Sequence, residues 1–173
     1  MDIATHILLV EDEPAIRASV RSYLNDLGYR VSEAADGAQA LELFRCQPPD
    51  LVLCDLRLPR VDGLDVLSAI TAEMPEVPVI VVSGVGSIED SIQSLKRGAW
   101  DYISKPILDF GTLETAILRA LDRARLLKEN REYQTHLERL NGQLTQAIEK
   151  LKEDEEAARV LQLGMLPDAE LIA

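Results

Sequence analysis

The chain has 173 residues and a formal net charge of −12, and 47% of its residues are hydrophobic although only 4% are aromatic. This acidic balance argues against a nucleic-acid surface, because phosphate backbones require clustered lysine and arginine. No apolar run has membrane-spanning length and no secretory signal is present, so we expect a cytoplasmic protein with neither membrane nor nucleic acid among its partners. The two cysteines, Cys46 and Cys54, are expected to be reduced.

Short apolar runs alternate with amphipathic segments through the first hundred or so residues. Helices are predicted from Pro14, after the turn at Asp36-Gly37, from Asp62-Gly63 and around Ile88, and Gly28 and Gly98 supply helix stops. The predicted strands are Tyr29–Ala34, which is the weakest, and His6–Val10, Asp50–Cys54, Val77–Ser83 and Trp100–Ser104. This alternation predicts an α/β fold, a doubly wound five-stranded parallel sheet with helices on both faces.

From Leu113 onward the pattern changes to one long helix. No proline occurs before Pro167, and the glycines in between are Gly142 and Gly164. The helix would be far longer than an average one. We therefore predict a first domain over residues 1–112, a long signalling helix over 113–160 and a tail over 161–173 that leads toward an output domain absent from this chain.

The long helix carries a heptad repeat. Two seams are predicted: Asn130, Leu137, Leu144 and Leu151 form one, and Leu126, Tyr133 and Leu140 form the other. A polar residue such as Asn130 on a seam sets register and strand number at some cost in stability. The helix could instead pack on its own domain, but a domain of about 110 residues cannot cover about 40 helical residues at 1.5 Å each. We expect a parallel homodimeric coiled coil, with an antiparallel pair or a pairing confined to crystals as alternatives.

Polar side chains follow four of the predicted strands where each strand ends. They are Glu11 and Asp12, Asp55, Ser83, and Lys105. Taken singly, the acidic run at Glu11 and Asp12 is more typical of a solvated helix start, Ser83 of a turn and Lys105 of a strand exit. Asp55 alone could be a helix N-cap. In a parallel sheet these ends lie side by side, and three clustered carboxylates repel one another unless a cation binds among them. Mg²⁺ suits such oxygen ligands, and with a hydroxyl and a lysine it neutralises a transferring phosphoryl group. Asp55 is then the candidate nucleophile.

Residues 5 to about 112 resemble the receiver domain of two-component response regulators. The resemblance rests on residues 8–13, 55–59, 62–63, 82–84 and 98–106, which read LLVEDE, DLRLP, DG, VSG and GAWDYISKP. One position departs from the usual family pattern: Leu58 precedes Pro59 where methionine is more frequent. The fold implied is flavodoxin-like, with strand order 2-1-3-4-5.

The resemblance also implies a role for each residue of the site. Asp55 would accept a phosphoryl group from a sensor histidine kinase or a phosphotransfer protein. Mg²⁺ would be bound by Glu11, Asp12, Asp55 and the backbone carbonyl of Arg57. Lys105 would pair with the phosphoryl oxygens, Ser83 would hydrogen-bond the phosphate, and Tyr102 would move inward as the switch proceeds. The Arg57 side chain is expected to affect the rate of acyl-phosphate hydrolysis.

A second resemblance lies in the tail. Residues 157–167, AARVLQLGMLP, are similar to the segment that precedes the phosphatase domain in protein phosphatase 2C regulators of the SpoIIE/RsbU type. Receiver, long helix and this segment together resemble the pseudomonad RssB type of response regulator, which implies a sigma factor or anti-sigma pathway as partner. The alternative is a fraying helix end with a proline stop.

The sequence therefore predicts a receiver that is phosphorylated on Asp55 and transmits the change through a dimeric coiled coil. Such a protein is not an enzyme in the ordinary sense, although it assists its own phosphorylation and dephosphorylation. One alternative is a Mg²⁺-dependent phosphohydrolase of similar fold. It would normally have an acid two residues after the nucleophile, where this chain has Arg57. The other alternative is a degenerate receiver that serves only as a structural dimerisation module.

Overall fold

A five-stranded parallel sheet lies at the centre of the computed structural model, which describes residues 4–84 and 88–165. Its strands are β1 (His6–Val10), β2 (Arg30–Ala34), β3 (Leu51–Cys54), β4 (Val79–Ser83) and β5 (Asp101–Ser104). All adjacent strands are parallel and their order is β2-β1-β3-β4-β5. The predicted fold class and strand order are thus confirmed.

Helices follow each strand. They are α1 (Pro14–Asp26), α2 (Gly37–Cys46), α3 (Gly63–Glu73), α4 (Ile88–Lys96) and α5 (Phe110–Gly164). Helix α1 begins with Pro14 in its first turn, and the Asp36 side chain caps α2 by accepting a hydrogen bond of 2.8 Å from the Gln39 N–H. Gly28 and Gly98 have φ angles of +87° and +101°, the left-handed conformation that ends helices at glycine.

Some element boundaries differ from the predicted ones by one to three residues. Strand β4 begins at Val79 rather than Val77, because Pro78 has no N–H to donate to a strand ladder. Strand β3 begins after Asp50, whose carboxylate accepts a 2.7 Å hydrogen bond from the His6 N–H. Helix α5 begins at Phe110, before the predicted Leu113, because the Asp109 carboxylate accepts from the Gly111 N–H at 2.8 Å and so caps the first turn.

The strands separate two hydrophobic cores, because alternate side chains of a strand point to opposite faces. Helices α2 and α3 cover one face and helices α1 and α5 the other. The first core contains Leu8, Val10, Val52, Cys54, Val79 and Val81, and the second contains Ile7, Leu9, Leu51, Leu53, Ile80 and Val82. From α5 the second core takes Leu113, Ala116, Ile117 and Ala120. The first turns of the long helix therefore complete the sheet domain.

Helix α4 is packed more lightly than the other helices of the sheet domain. Ser94 is its one buried residue. Three of its large apolar side chains are exposed: Ile88 at 76%, Ile92 at 46% and Leu95 at 51%. This helix thus exposes an apolar surface to solvent.

The chain divides into two compact units, Met1–Lys128 and Glu129–Ala173. Within the second unit, residues 129–164 belong to α5. The predicted domain limits at residues 112 and 160 remain predictions, and the tail prediction falls largely on residues 166–173, outside the described part. Among the described helices, none has an apolar stretch of the length and hydropathy that a bilayer crossing needs.

Candidate functional site

The carboxyl ends of β1 and β3 bring the acidic residues together. Val10 and Cys54 are register partners, and the Asp55 N–H donates to the Val10 carbonyl at 2.9 Å. Glu11 and Asp55 therefore leave neighbouring strands at the same level. Ligand oxygens of Glu11, Asp12 and Asp55 lie within 4.8 Å of one another. The structure thus brings together the three carboxylates that the sequence predicted as a cluster.

Two of these carboxylates are buried, which makes their proximity costly. Glu11 is 3% and Asp55 6% exposed, whereas Asp12 is exposed to solvent. Burial raises the pKa of Glu11 above its ordinary value, hydrogen bonding from Lys105 opposes that shift, and the charge on Asp55 adds to it. A divalent cation would offset both the burial and the repulsion. The donor set is all oxygen and open to water on the Asp12 side, so these residues fit Mg²⁺.

Lys105 connects the acidic cluster to β5. Its backbone N–H donates to the Ser83 carbonyl at 2.9 Å. Its Nζ atom lies 2.5 Å from Glu11 Oε2 and 2.6 Å from Asp55 Oδ2. Burial works to lower the pKa of the lysine, but the hydrogen bonds to Asp55 and Glu11 outweigh it, so the net pKa is raised and the ammonium stays charged. The lysine therefore supplies a fixed positive charge beside Asp55 Oδ2.

The residues after Asp55 form a tight loop, residues 56–62, which we call the site loop. Its Arg57 N–H donates to Asp55 Oδ1 at 3.1 Å, so the two oxygens of Asp55 have different partners. The Arg57 guanidinium points toward α4, where it lies 3.5 Å from Asp90 Oδ2. This side chain is 63% exposed, so the ion pair is worth little in stability. The contact joins the site loop to α4.

Ser83 and Tyr102 have buried hydroxyl groups without hydrogen-bond partners. Among the described residues only Ser83 Oγ, Tyr102 OH and His6 Nδ1 are buried side-chain polar atoms of this kind. Ser83 ends β4, and Tyr102 pairs with Val81 one strand away. A buried unpaired hydroxyl costs about 1–3 kcal/mol. A hydrogen-bond acceptor placed next to either hydroxyl would remove this cost.

Two features of the site were missed from the sequence. The Arg17 guanidinium donates to the Glu11 carbonyl at 2.7 Å and to the Asp12 carbonyl at 3.2 Å, which fixes the acidic turn. Gly63 was predicted as a helix start and as part of the motif at residues 62–63, but its packing was not predicted: a Cβ atom there would lie 2.0 Å from the Asp55 carbonyl oxygen. The signal for Arg17 was weak, since basic residues are common on the solvated face of any surface helix.

The predicted seam residues all lie on α5 and all are exposed: Leu126, Asn130, Tyr133, Leu137, Leu140, Leu144 and Leu151. Exposure of the apolar members runs from 45% at Leu140 to 70% at Tyr133. Leu126 belongs to the first unit and the others to the second. Their pairing with a second chain remains a prediction.

Comparison with known proteins covers most of the chain. Residues 7–118 match the family model described as the response regulator receiver domain. The chain is 42% identical over 132 residues to the nitrogen assimilation regulatory protein NtrX of Azorhizobium caulinodans, covering 75% of this chain and 29% of that protein. It is 30% identical over 172 residues to the C4-dicarboxylate transport transcriptional regulatory protein DctD of Pseudomonas aeruginosa, covering 95% of this chain and 37% of that protein.

A solved structure shows the same fold. The CheY-like receiver domain protein of Methanospirillum hungatei superposes with a TM-score of 0.68 at 32% identity, covering 71% of this chain and 98% of that one. The chain spans only about a third of the length of the two regulators, 29% of NtrX and 37% of DctD. The similarity therefore concerns only that part of each regulator.

Proposed function

Because the chain belongs to the response regulator receiver family, we propose that Asp55 accepts a phosphoryl group from a sensor histidine kinase or a phosphotransfer protein. One observation carries the proposal: Asp55 is buried at a strand end between a lysine ammonium at 2.6 Å and two further carboxylates. Its Oδ1 is held by the Arg57 N–H and its Oδ2 by Lys105. These two contacts orient the Asp55 carboxylate for attack on phosphorus.

The transfer exchanges one bond to phosphorus for another. An oxygen of Asp55 forms the new O–P bond as the N–P bond of the donor phosphohistidine breaks, and the electron pair returns to the imidazole nitrogen. Lys105 then pairs with a phosphoryl oxygen. Glu11, Asp12, Asp55 and the Arg57 carbonyl would bind Mg²⁺, which supplies charge neutralisation for the phosphoryl oxygens. The chain in this way assists both its own phosphorylation and the later attack of water on the acyl phosphate, with Arg57 modulating the hydrolysis.

The two switch residues, Ser83 and Tyr102, would respond to the phosphoryl group on Asp55. A phosphoryl oxygen on Asp55 offers the acceptor that the buried Ser83 hydroxyl lacks. Movement of Ser83 toward the phosphate leaves space for Tyr102, whose hydroxyl is likewise unpaired. A change of a few kcal/mol is enough to shift a two-state equilibrium of this kind.

The output is proposed to pass through a parallel homodimer. The seam from Leu126 to Leu151 presents exposed apolar side chains at heptad spacing over about 38 Å of helix. A second copy would bury them, and Asn130 would pair with its equivalent and favour two strands in register. An RssB-type output, with a sigma factor or anti-sigma partner, rests on the motif at residues 157–167 alone. The name of the similar protein DctD describes a transcriptional regulatory protein instead.

Phosphorylation of Asp55 is tested with acetyl phosphate. Wild-type protein in Mg²⁺ should gain one phosphoryl group by intact mass, and Asp55→Ala should gain none. Asp65→Asn is the matched control, because Asp65 is an exposed aspartate on α3 with only a 3.5 Å ion pair to Arg97. Labelling of Asp55→Ala at the wild-type level would refute the assignment. Steady release of phosphate from a small phosphomonoester would point to a phosphohydrolase.

A further inference from the structure

The site loop is in contact with the start of α2 at a place where no side chain fits. A Cβ atom built on Gly37 would lie 2.1 Å from the Val61 carbonyl oxygen and 2.8 Å from the Val61 Cβ. The Gly37 N–H also points at the Pro59 carbonyl, 3.5 Å away. Gly37 is the first residue of α2, and its helical conformation does not itself require glycine. The close approach of the site loop explains the glycine.

Two further contacts involve the same corner. The Arg60 guanidinium lies 3.6 Å from Asp36 Oδ2, and Asp36 also caps α2 through Gln39. Arg60 has a φ angle of +68°, the left-handed conformation that non-glycine residues seldom adopt. The tip of the loop is therefore bent against α2 at some conformational cost.

The other end of the loop is fixed on the Asp55 strand. The Gly63 N–H donates to the Leu56 carbonyl at 2.9 Å, and Gly63 packs directly on the Asp55 carbonyl. Between these two anchors lies Arg57, whose N–H holds Asp55 Oδ1. A displacement of the loop tip is thus transmitted along a short, tightly held segment to Arg57.

We propose that Gly37 is a positioning residue for the cation site. By admitting the Val61 carbonyl, it places the site loop so that the Arg57 carbonyl and the Asp55 carboxylate face one cation. The inference rests on the proposed Mg²⁺ and phosphorylation function, and it adds that the start of α2, which holds none of the cation ligands, determines how tightly the cation binds. An alanine at position 37 would force the loop to retreat by about 1 Å before ordinary contact distances are restored.

The measurement is Mg²⁺ binding by isothermal titration calorimetry, with urea unfolding followed in parallel. Gly37→Ala should bind Mg²⁺ about 10- to 100-fold more weakly, the range typical when support behind metal ligands is lost. Its labelling by acetyl phosphate should require correspondingly more Mg²⁺ and recover at saturation. Gly142→Ala is the matched control, since a Cβ atom there meets nothing within 4 Å, and its affinity should equal that of the wild type.

A second variant distinguishes an effect of site-loop position on Mg²⁺ binding from an effect of protein stability. Arg60→Gly suits the left-handed conformation, so it should fold at least as well, but it loses the pair with Asp36 and frees the loop tip. Its Mg²⁺ affinity should fall by about two- to fivefold, the equivalent of one exposed ion pair. Wild-type affinity in both variants would overturn the inference, as would wild-type affinity in Arg60→Gly alone if Gly37→Ala does not fold. Absence of Mg²⁺ binding by the wild type would overturn the proposed function with it.

Discussion

Replacing Lys105 by methionine should destabilise the protein in the absence of Mg²⁺ and leave it nearly unaffected in its presence. The Lys105 side chain is 11% exposed, and those of Glu11 and Asp55 are 4% and 8% exposed. Methionine preserves the apolar stem and removes the ammonium. Two buried carboxylates are then left without the cation that contacts both of them.

The expected magnitude follows from the spacing of the carboxylates. Their ligand oxygens lie within 4.8 Å of one another. Two unit charges at that separation repel by about 3.5 kcal/mol at an effective dielectric constant of about 20. Breaking a buried ion pair from one side commonly costs about 3–5 kcal/mol, which agrees. We therefore expect the free energy of unfolding in EDTA to fall by about 3 kcal/mol.

The assay is urea unfolding in EDTA and again in saturating Mg²⁺. Mg²⁺ should restore most of the loss, and Lys105→Met should bind Mg²⁺ more tightly than the wild type because no ammonium competes for the carboxylate oxygens. Lys96→Met, at the exposed end of α4, is the control and should change neither quantity. Wild-type stability of Lys105→Met in EDTA, or an equal loss with and without Mg²⁺, would refute the reasoning.

Three other predictions concern separate parts of the chain. Ser83→Ala should raise the free energy of unfolding by about 1 kcal/mol, since it removes a buried unpaired hydroxyl, while beryllofluoride should perturb the variant less than the wild type; a destabilised variant would contradict this. Leu137→Lys should convert the dimer to a monomer in sedimentation, whereas Thr135→Lys, on the outward face of the heptad, should leave the dimer intact. If both variants were monomeric, or both were dimeric, the seam assignment would be contradicted. Burial, together with the charge of Arg30, lowers the pKa of His6 from its ordinary 6.5. Protons then bind the unfolded chain more readily, so the stability contributed by the neutral ring is complete above pH 6.5 and is lost as pH falls toward the lowered pKa. His6→Gln should flatten the dependence of the urea midpoint on pH in that range, and an unchanged slope would exclude His6.

Most of the fold could be predicted because its signals are local. The β-branched run before Ser83, the proline opening α1 and the turn at Asp36-Gly37 each indicate an element without reference to the rest of the chain. Parallel topology then follows from the alternation of strands and helices. The boundaries were less predictable, since the start of α5 depends on a cap by Asp109 that the apolar pattern does not show.

The candidate site could be predicted in membership but not in its contacts. A parallel sheet brings the ends of its strands together, so Glu11, Asp55 and Lys105 were expected as neighbours. The sequence did not predict that the Lys105 ammonium contacts both carboxylates at once, because this depends on side-chain distances in the packed structure. The contact of Gly37 with Val61 joins positions on separate elements, and the sequence contains no pattern that relates them.

The light packing of α4 has a thermodynamic consequence for the whole domain. An element with one buried residue can open locally at a small fraction of the free energy needed to unfold the sheet. Its amide protons should therefore exchange with solvent well before those of β1, β3 and β4, whose residues are buried throughout. Through Arg57 and Asp90 this lightly packed helix contacts the site loop. Moving α4 should therefore cost little free energy at the point where it contacts the site loop.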